Sequence, residues 1–157
     1  MNNQARVILS AAAITYAILA GSTCMSAATE KILAQQTVEA VAAAHLEVTG
    51  LELAASRSKS EDCKTIAATE AKEIGAKCDK DEFTAMKTNQ PFVEQEKDGF
   101  DVTMPLRDAS GQVIGTLGID FKPQSGQTEA LVTEKAKQIA AEVEKKITSR
   151  EQLFETR

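Results

Sequence analysis

The stretch Phe100–Phe121, FDVTMPLRDASGQVIGTLGIDF, decides how this chain folds. Phe100, Val102, Met104 and Leu106 alternate with Asp101, Thr103, Pro105 and Arg107. Val113, Gly115, Leu117, Ile119 and Phe121 then alternate with Ile114, Thr116, Gly118 and Asp120. Successive side chains of a strand point to opposite faces, so this period of two sets an aliphatic row against a polar one. Asp108-Ala109-Ser110-Gly111 supplies turn residues between the runs, and the pair reads as a β-hairpin.

Downstream, Pro123–Gln127 breaks the pattern. A helix is expected from Thr128 to Ile147, because Val132, Ala136, Ile139, Val143 and Ile147 recur at spacings of three and four. Residues 148–157 read as a frayed tail. Upstream, Pro91–Lys97 reads as a strand whose leading proline suits a sheet edge, and Lys97-Asp98-Gly99 as a hairpin turn. Asp79–Thr88 reads as a short helix capped by Asp79 or Asp81, with Phe83 and Met86 inward. Glu70–Lys77 reads as a helical turn ending near Gly75. Residues 48–56 and Cys63–Thr69 read as strands around the polar turn 57–62. In the second of these, Ile66 and Ala68 are assigned to the aliphatic face, and Thr65, Ala67 and Thr69 to the other. Thr29–Ala44 reads as a helix, with Thr29 as cap and Glu30 in the first turn. The order is helix, two strands, two short helices, three strands, helix. It predicts one α+β domain over 29–147, with an antiparallel sheet covered by helices.

Composition narrows the function classes. Hydrophobic residues make up 43% of the chain but aromatics only 4%, with no Trp, so the core is aliphatic and stacking platforms for bases or sugars are disfavoured. A net charge of −5 gives no electrostatic footprint for nucleic acid. The chain has one histidine, His45, and no CxxC pair, so neither a zinc site nor haem attachment is expected, and no cofactor is assigned. His45 reads as a helix-terminal residue favoured by the dipole. No Ser or Cys stands in a nucleophile elbow. Gly115 and Gly118 lie within a strand, so they do not form a phosphate cradle. The chain is therefore expected not to be an enzyme.

Residues 1–28 have the three parts of a secretory leader: Arg6, the apolar run Val7–Ala20, and a stretch of small residues to Ala28. The apolar run is shorter than the ~20 residues that span a bilayer. An uncleaved anchor is the alternative, and lipidation at Cys24 a third. Export places the domain in the periplasm or outside the cell. Cys63 and Cys78 would then remain, suggesting one disulfide. Such a loop of about 15 residues would gain about 3 kcal/mol from chain entropy. Two buried free thiols are the alternative.

The hairpin, with Pro105-Leu106, Asp108–Gly111 and Ile114-Gly115 to Asp120, resembles the closing hairpin of extracytoplasmic PAS-like sensor domains of the Cache, or PDC, family. TIAATEAKEIGAKCDKDE (65–82), with Ile74-Gly75, resembles another passage of that family. PAS and GAF domains share a similar hairpin, and the export leader selects Cache. The resemblance implies a PAS-like (single Cache) domain: a five-stranded antiparallel sheet, a long N-terminal helix, two short helices and a C-terminal helix. It also implies a small-ligand pocket between the sheet and the short helices. On this reading no output module is expected after the domain. The aromatic-rich motif of amino-acid-binding members has no counterpart, so the ligand class does not carry over.

On this reading Ile66, Ala68, Val102, Met104, Leu106, Leu117 and Ile119 face the terminal helices. Thr65, Thr69, Thr103, Arg107, Thr116 and Asp120 are the candidate ligand-binding residues on the opposite face, with Asp101 and Gly118 beside them. Arg107 would suit a carboxylate and Asp120 an amine. A solvated sheet face is the plain alternative. The expected function is an exported, non-catalytic sensory module for a small polar carboxylate or amino compound, working with a membrane receptor. The rival is an interaction protein with this fold and no ligand, dimerising through its first helix.

Overall fold

The computed structural model describes residues 30–58, 61–97 and 99–156. The proposed leader, Cys24 and the Thr29 cap lie outside the described residues. The elements run α1 (Leu33–Ala44), β1 (Val48–Ala55), β2 (Lys64–Ala68), a 3₁₀ turn (Ala71–Glu73), α2 (Lys80–Thr88), β3 (Phe92–Glu96), β4 (Gly99–Arg107), β5 (Val113–Phe121) and α3 (Glu129–Lys146), then a second 3₁₀ turn (Glu151–Phe154). The strands form one antiparallel sheet in the order β2-β1-β5-β4-β3. Among the described residues no helix is long and apolar enough to cross a membrane.

The β4–β5 hairpin pairs Val102 with Ile119 and Met104 with Leu117 on one face, and Asp101 with Asp120 and Thr103 with Gly118 on the other. β1 continues both rows, with Leu51 opposite Ile119, Leu53 opposite Leu117, and Glu52 opposite Gly118. The aliphatic row packs under α1 and α3. Val38, Val41, Leu53, Leu106, Leu117, Ile119, Val132, Ile139 and Val143 are all buried in one cluster. Each such side chain contributes on the order of 2 kcal/mol. α3 follows its stripe: Val132, Ala136, Ile139, Val143 and Ile147 are all buried, and the Thr128 hydroxyl accepts from Leu131 N–H. α2 lies against β3, β4 and β5, buries Ala85 and starts with a capping box made by Asp79 and Glu82.

Four expectations need correction. First, α1 begins at Leu33 with no side-chain cap and no acid in its first turn, so Glu30 plays no part there. Second, the residues after 147 do not fray. Leu153 is fully buried, Leu33 N–H donates to Glu155 O at 2.7 Å, Ile32 bridges to Thr156, and Arg150 donates to the carbonyls of Ser56 and Val113. Leu153 fills the core beside α1, and that burial orders the segment. Third, β1 and β2 slip register between Leu53 and Ala54. Ala67, opposite Leu53, joins the core cluster, Ala68 pairs with Glu52 on the polar side, and Ile66, at the slip, is half-buried against the core's edge. Fourth, Phe83 is 54% exposed, and the small Ala85 takes the inward position on α2.

Candidate functional site

The polar face of the sheet carries a groove of about 260 Å³ at its β1–β2 side. Its floor is Gly50, Glu52 and Ala68, with Asp120 entering from β5. Its wall is Thr69, Glu70, Lys72 and Glu73, carried by the turn that follows β2. Two strand glycines make the floor possible. A Cβ at Gly50 would collide with Oδ2 of Asp120, and one at Gly118 would stand 2.9 Å from Cγ of Glu52. The missing side chains let both carboxylates lie across the sheet. Gly115 has a different role, because a Cβ there would strike the Ala54 carbonyl and separate β5 from β1.

Like charges crowd this face. Burial raises the Glu52 carboxyl above the usual range, and Asp120, Glu73 and Asp79 add to the shift. Burial, then Glu96, Glu70 and Glu73, raise Asp120, which keeps contact with solvent. Asp101, opposite Asp120, is pushed up to about 7 by burial and then by Asp120, Glu52, Glu96 and Asp81. Among the described residues none of these three carboxylates forms an ion pair. At the start of α2, burial and the contact with Asp79 push Glu82 up to about 7, while Asp79 moves down because the pair shares hydrogen bonds. Lys72 is the one cation on the groove lining, and it is already held by Glu70 at 2.8 Å and Glu73 at 3.6 Å. Among the described residues, no group of three or more His, Cys, Asp or Glu is arranged to hold a metal ion.

The sequence-predicted site residues divide. Thr69 and Asp120 line the groove. The Thr69 hydroxyl accepts from Leu51 N–H at 3.1 Å and fastens the start of the wall to β1. Thr65, Thr103 and Thr116 are buried on the polar face, outside the groove lining. Among the described residues the Thr116 hydroxyl has no hydrogen-bond partner. Arg107 lies apart from the groove. Its backbone N–H donates to Glu144 Oε1 at 2.8 Å, and its guanidinium donates to the carbonyls of Pro105 and Asn89 and pairs with Glu144 at 3.7 Å. Arg107 pairs with Val113 at the turn end of the β4–β5 hairpin, whereas Asp120, in the groove, pairs with Asp101 at the opposite end. His45 caps α1, with Nδ1 3.3 Å from Glu47 and Nε2 3.1 Å from Glu142. Burial opposes its charge, yet the bonds to Glu142 and Glu47 outweigh that and raise its pKa.

Sequence reasoning did not single out Glu52, Glu70 or Glu73. For Glu52 a signal was present: Leu51 and Leu53 point into the core, so Glu52 must share a face with Gly50. For Glu70 and Glu73 there was none, because the course of the turn is set by tertiary contacts. Cys63 and Cys78 are joined as a disulfide with their Cα atoms 5.4 Å apart.

Similarity to solved structures is confined to the fold. The chain resembles a protein described as a GAF sensor from Burkholderia vietnamiensis (TM-score 0.56, 12% identity, covering 80% of this chain and 82% of that one). It also resembles the GAF domain of an Acinetobacter phosphoenolpyruvate-protein phosphotransferase (0.52, 12%, 75% and 83%). A third is the GAF domain of a two-component sensor histidine kinase from Bacillus halodurans (0.51, 12%, 73% and 90%). No family model matches the sequence, and no curated protein does. The fold is therefore GAF-like α+β. The Cache (PDC) resemblance of residues 65–82 and 100–121 is overturned by these neighbours. The reason is that the hairpin is common to PAS-like and GAF domains. The choice between them rested on the leader, which carries no information about the sheet.

Proposed function

We propose that this chain is a non-catalytic sensory module with a GAF-like fold that binds a small cationic amine. The observation carrying this reading is the charge of the groove. Glu52, Glu70, Glu73 and Asp120 converge there, while Lys72 is already paired and Arg107 is engaged elsewhere. Bringing a carboxylate ligand into such a field costs free energy, and bringing an ammonium group returns it. Of the two ligand types expected from sequence, the amine is the one this groove suits. The open groove favours this reading over a ligand-free protein dimerising through its Ala-rich first helix, for which α1 leaves Ala40, Ala43 and Ala44 exposed.

The module works outside the cytoplasm in this reading, alongside a membrane receptor. The leader-like residues 1–28 and the Cys63–Cys78 disulfide support that location. Cell fractionation with thiol alkylation tests it: recovery of reduced protein in the cytosol would refute export.

The ligand test is calorimetry of the purified chain with putrescine, ornithine and spermidine against succinate. A specific amine should bind and raise the melting temperature with concentration, adding about 2.7 kcal/mol of stability at a hundredfold excess over Kd. Glu52→Gln and Asp120→Asn should each weaken it at least fivefold. Binding of succinate in preference to every amine would refute the charge argument.

A further inference from the structure

The groove wall belongs to a loop closed by the disulfide. Cys63 and Cys78, 15 residues apart, bracket β2 and the turn that presents Thr69, Glu70, Lys72 and Glu73. That turn has no apolar anchor. Its 3₁₀ segment buries no residue, and Ile74 is 45% exposed. Lys72 pairs within the turn, to Glu70 and Glu73, and Lys77 reaches the chain beyond it, to Asp62 at 3.9 Å, where both side chains are exposed. Its far end is held at the sheet edge by three backbone bonds: Gly75 N–H to Thr65 O at 2.8 Å, Thr65 N–H to Ala76 O at 2.9 Å, and Cys78 N–H to Cys63 O at 3.1 Å. The positive φ of Gly75 turns the chain back for the first of these. The sheet beneath is held by an aliphatic core that includes neither cysteine. Segments with few buried apolar contacts and exposed backbone bonds open locally at low free energy. Here the cross-link is what limits such opening, since it removes loop freedom.

We propose that the Cys63–Cys78 disulfide is a redox latch on this groove: oxidised, it holds the wall over the sheet, and reduction by a dithiol frees the wall and weakens ligand binding while the sheet stays folded. The ligand part rests on the amine-binding reading above. Cys78 is the more exposed residue of the pair, half-buried where Cys63 is only 7% exposed. A thiolate of the dithiol attacks Cys78 Sγ, the Sγ–Sγ bond breaks, and Cys63 leaves as a thiolate that takes a proton. The second thiol of the reductant then displaces Cys78. Two electrons and two protons pass to the protein, and the dithiol leaves as a cyclic disulfide.

The experiment is hydrogen exchange on the full chain, oxidised and treated with dithiothreitol, with putrescine titrated into each form. The Cys63→Ser/Cys78→Ser double variant serves as a reductant-free control. Reduction should speed exchange at least tenfold over residues 69–78, leave β4 and β5 protected, and raise the putrescine Kd at least tenfold, with the double variant matching. Unchanged exchange over 69–78 overturns the latch. Loss of protection throughout the sheet also overturns it, making the bond a global staple. Equal putrescine affinity in both forms overturns the control of binding. If the oxidised chain binds no putrescine, the amine reading fails and the ligand part of the latch fails with it. The exchange pattern then still decides whether reduction frees the wall.

Discussion

The two faces of one sheet have been given opposite chemistry by the same strands. Toward α1 and α3, Leu51, Leu53, Val102, Leu106, Leu117 and Ile119 are buried in a continuous aliphatic layer. Toward the groove, Glu52, Asp101 and Asp120 crowd like charges that the fold does not neutralise. The first face stabilises the domain, and the second strains it. No ion pair among the described residues relieves that crowding, and relieving it is the role of the proposed amine.

Substitutions one residue apart in the strands should separate the faces. The largest effect is expected on the core side. Leu117→Ala should cost about 3–4 kcal/mol in urea unfolding, because the side chain is fully buried between β1 and β4 and the helices hold the cavity open. A cost under 1 kcal/mol would mean that the core is loosely packed. Next, Asp101→Asn should stabilise. A carboxyl whose pKa rises from 3.8 to about 7 on folding binds more protons folded than unfolded across that window, so its presence lowers stability as pH climbs through it. With its partial exposure discounted, the gain at pH 7.5 should be about 1–2 kcal/mol, or roughly 3–8 °C, and should vanish below pH 4. A loss at pH 7.5 would show that the carboxylates are not in mutual repulsion.

A smaller effect is expected at His45. Its pKa is raised in the fold by Glu142 and Glu47, so its contribution is full below the unfolded value near 6.5 and fades as pH rises through the folded one. His45→Gln should therefore lower the melting temperature at pH 5.5 and have little effect at pH 8.5. The reverse order would mean that the ring is neutral in the fold. The smallest effect should come from Gly50→Ala, which meets only the mobile end of Asp120 and should cost under about 1 kcal/mol while weakening amine binding. Gly115→Ala, whose Cβ meets backbone, gives the contrast: it should cost more and leave the groove residues in place.

What the sequence disclosed follows from where its periods are unbroken. α3 keeps its repeat throughout, and the β4–β5 hairpin keeps its own from the Phe100–Phe121 pair to the Leu106–Gly115 pair, so their faces were readable there, and so was the five-stranded α+β layout. β2 was readable as a strand but not in its faces. The slip opposite Leu53 and Ala54 exchanges inside for outside with no turn residue to announce it. A similar irregularity lies at the turn end of the β4–β5 hairpin, where Ile114, set in the polar row by alternation, is buried in the core. Phe83 was read inward on hydrophobicity, although α2 lies close enough to the sheet that only Ala85 fits beneath it. Of the groove, Thr69 and Asp120 were legible from alternation, and Glu52 could have been. The Glu70–Glu73 wall was not, because the loop's path depends on Gly75 returning to Thr65 across the sheet edge.

The bridge between Ile32 and Thr156 has a mechanical consequence. The two ends of the described fold leave it side by side, where Leu33 N–H donates to the carbonyl of Glu155. Force applied between those ends would load that bond first and peel the segments apart one contact at a time, a geometry that yields gently, instead of shearing the sheet along its length. A single-molecule pulling trace from these two points should show a low-force release of the C-terminal segment before the five strands give way.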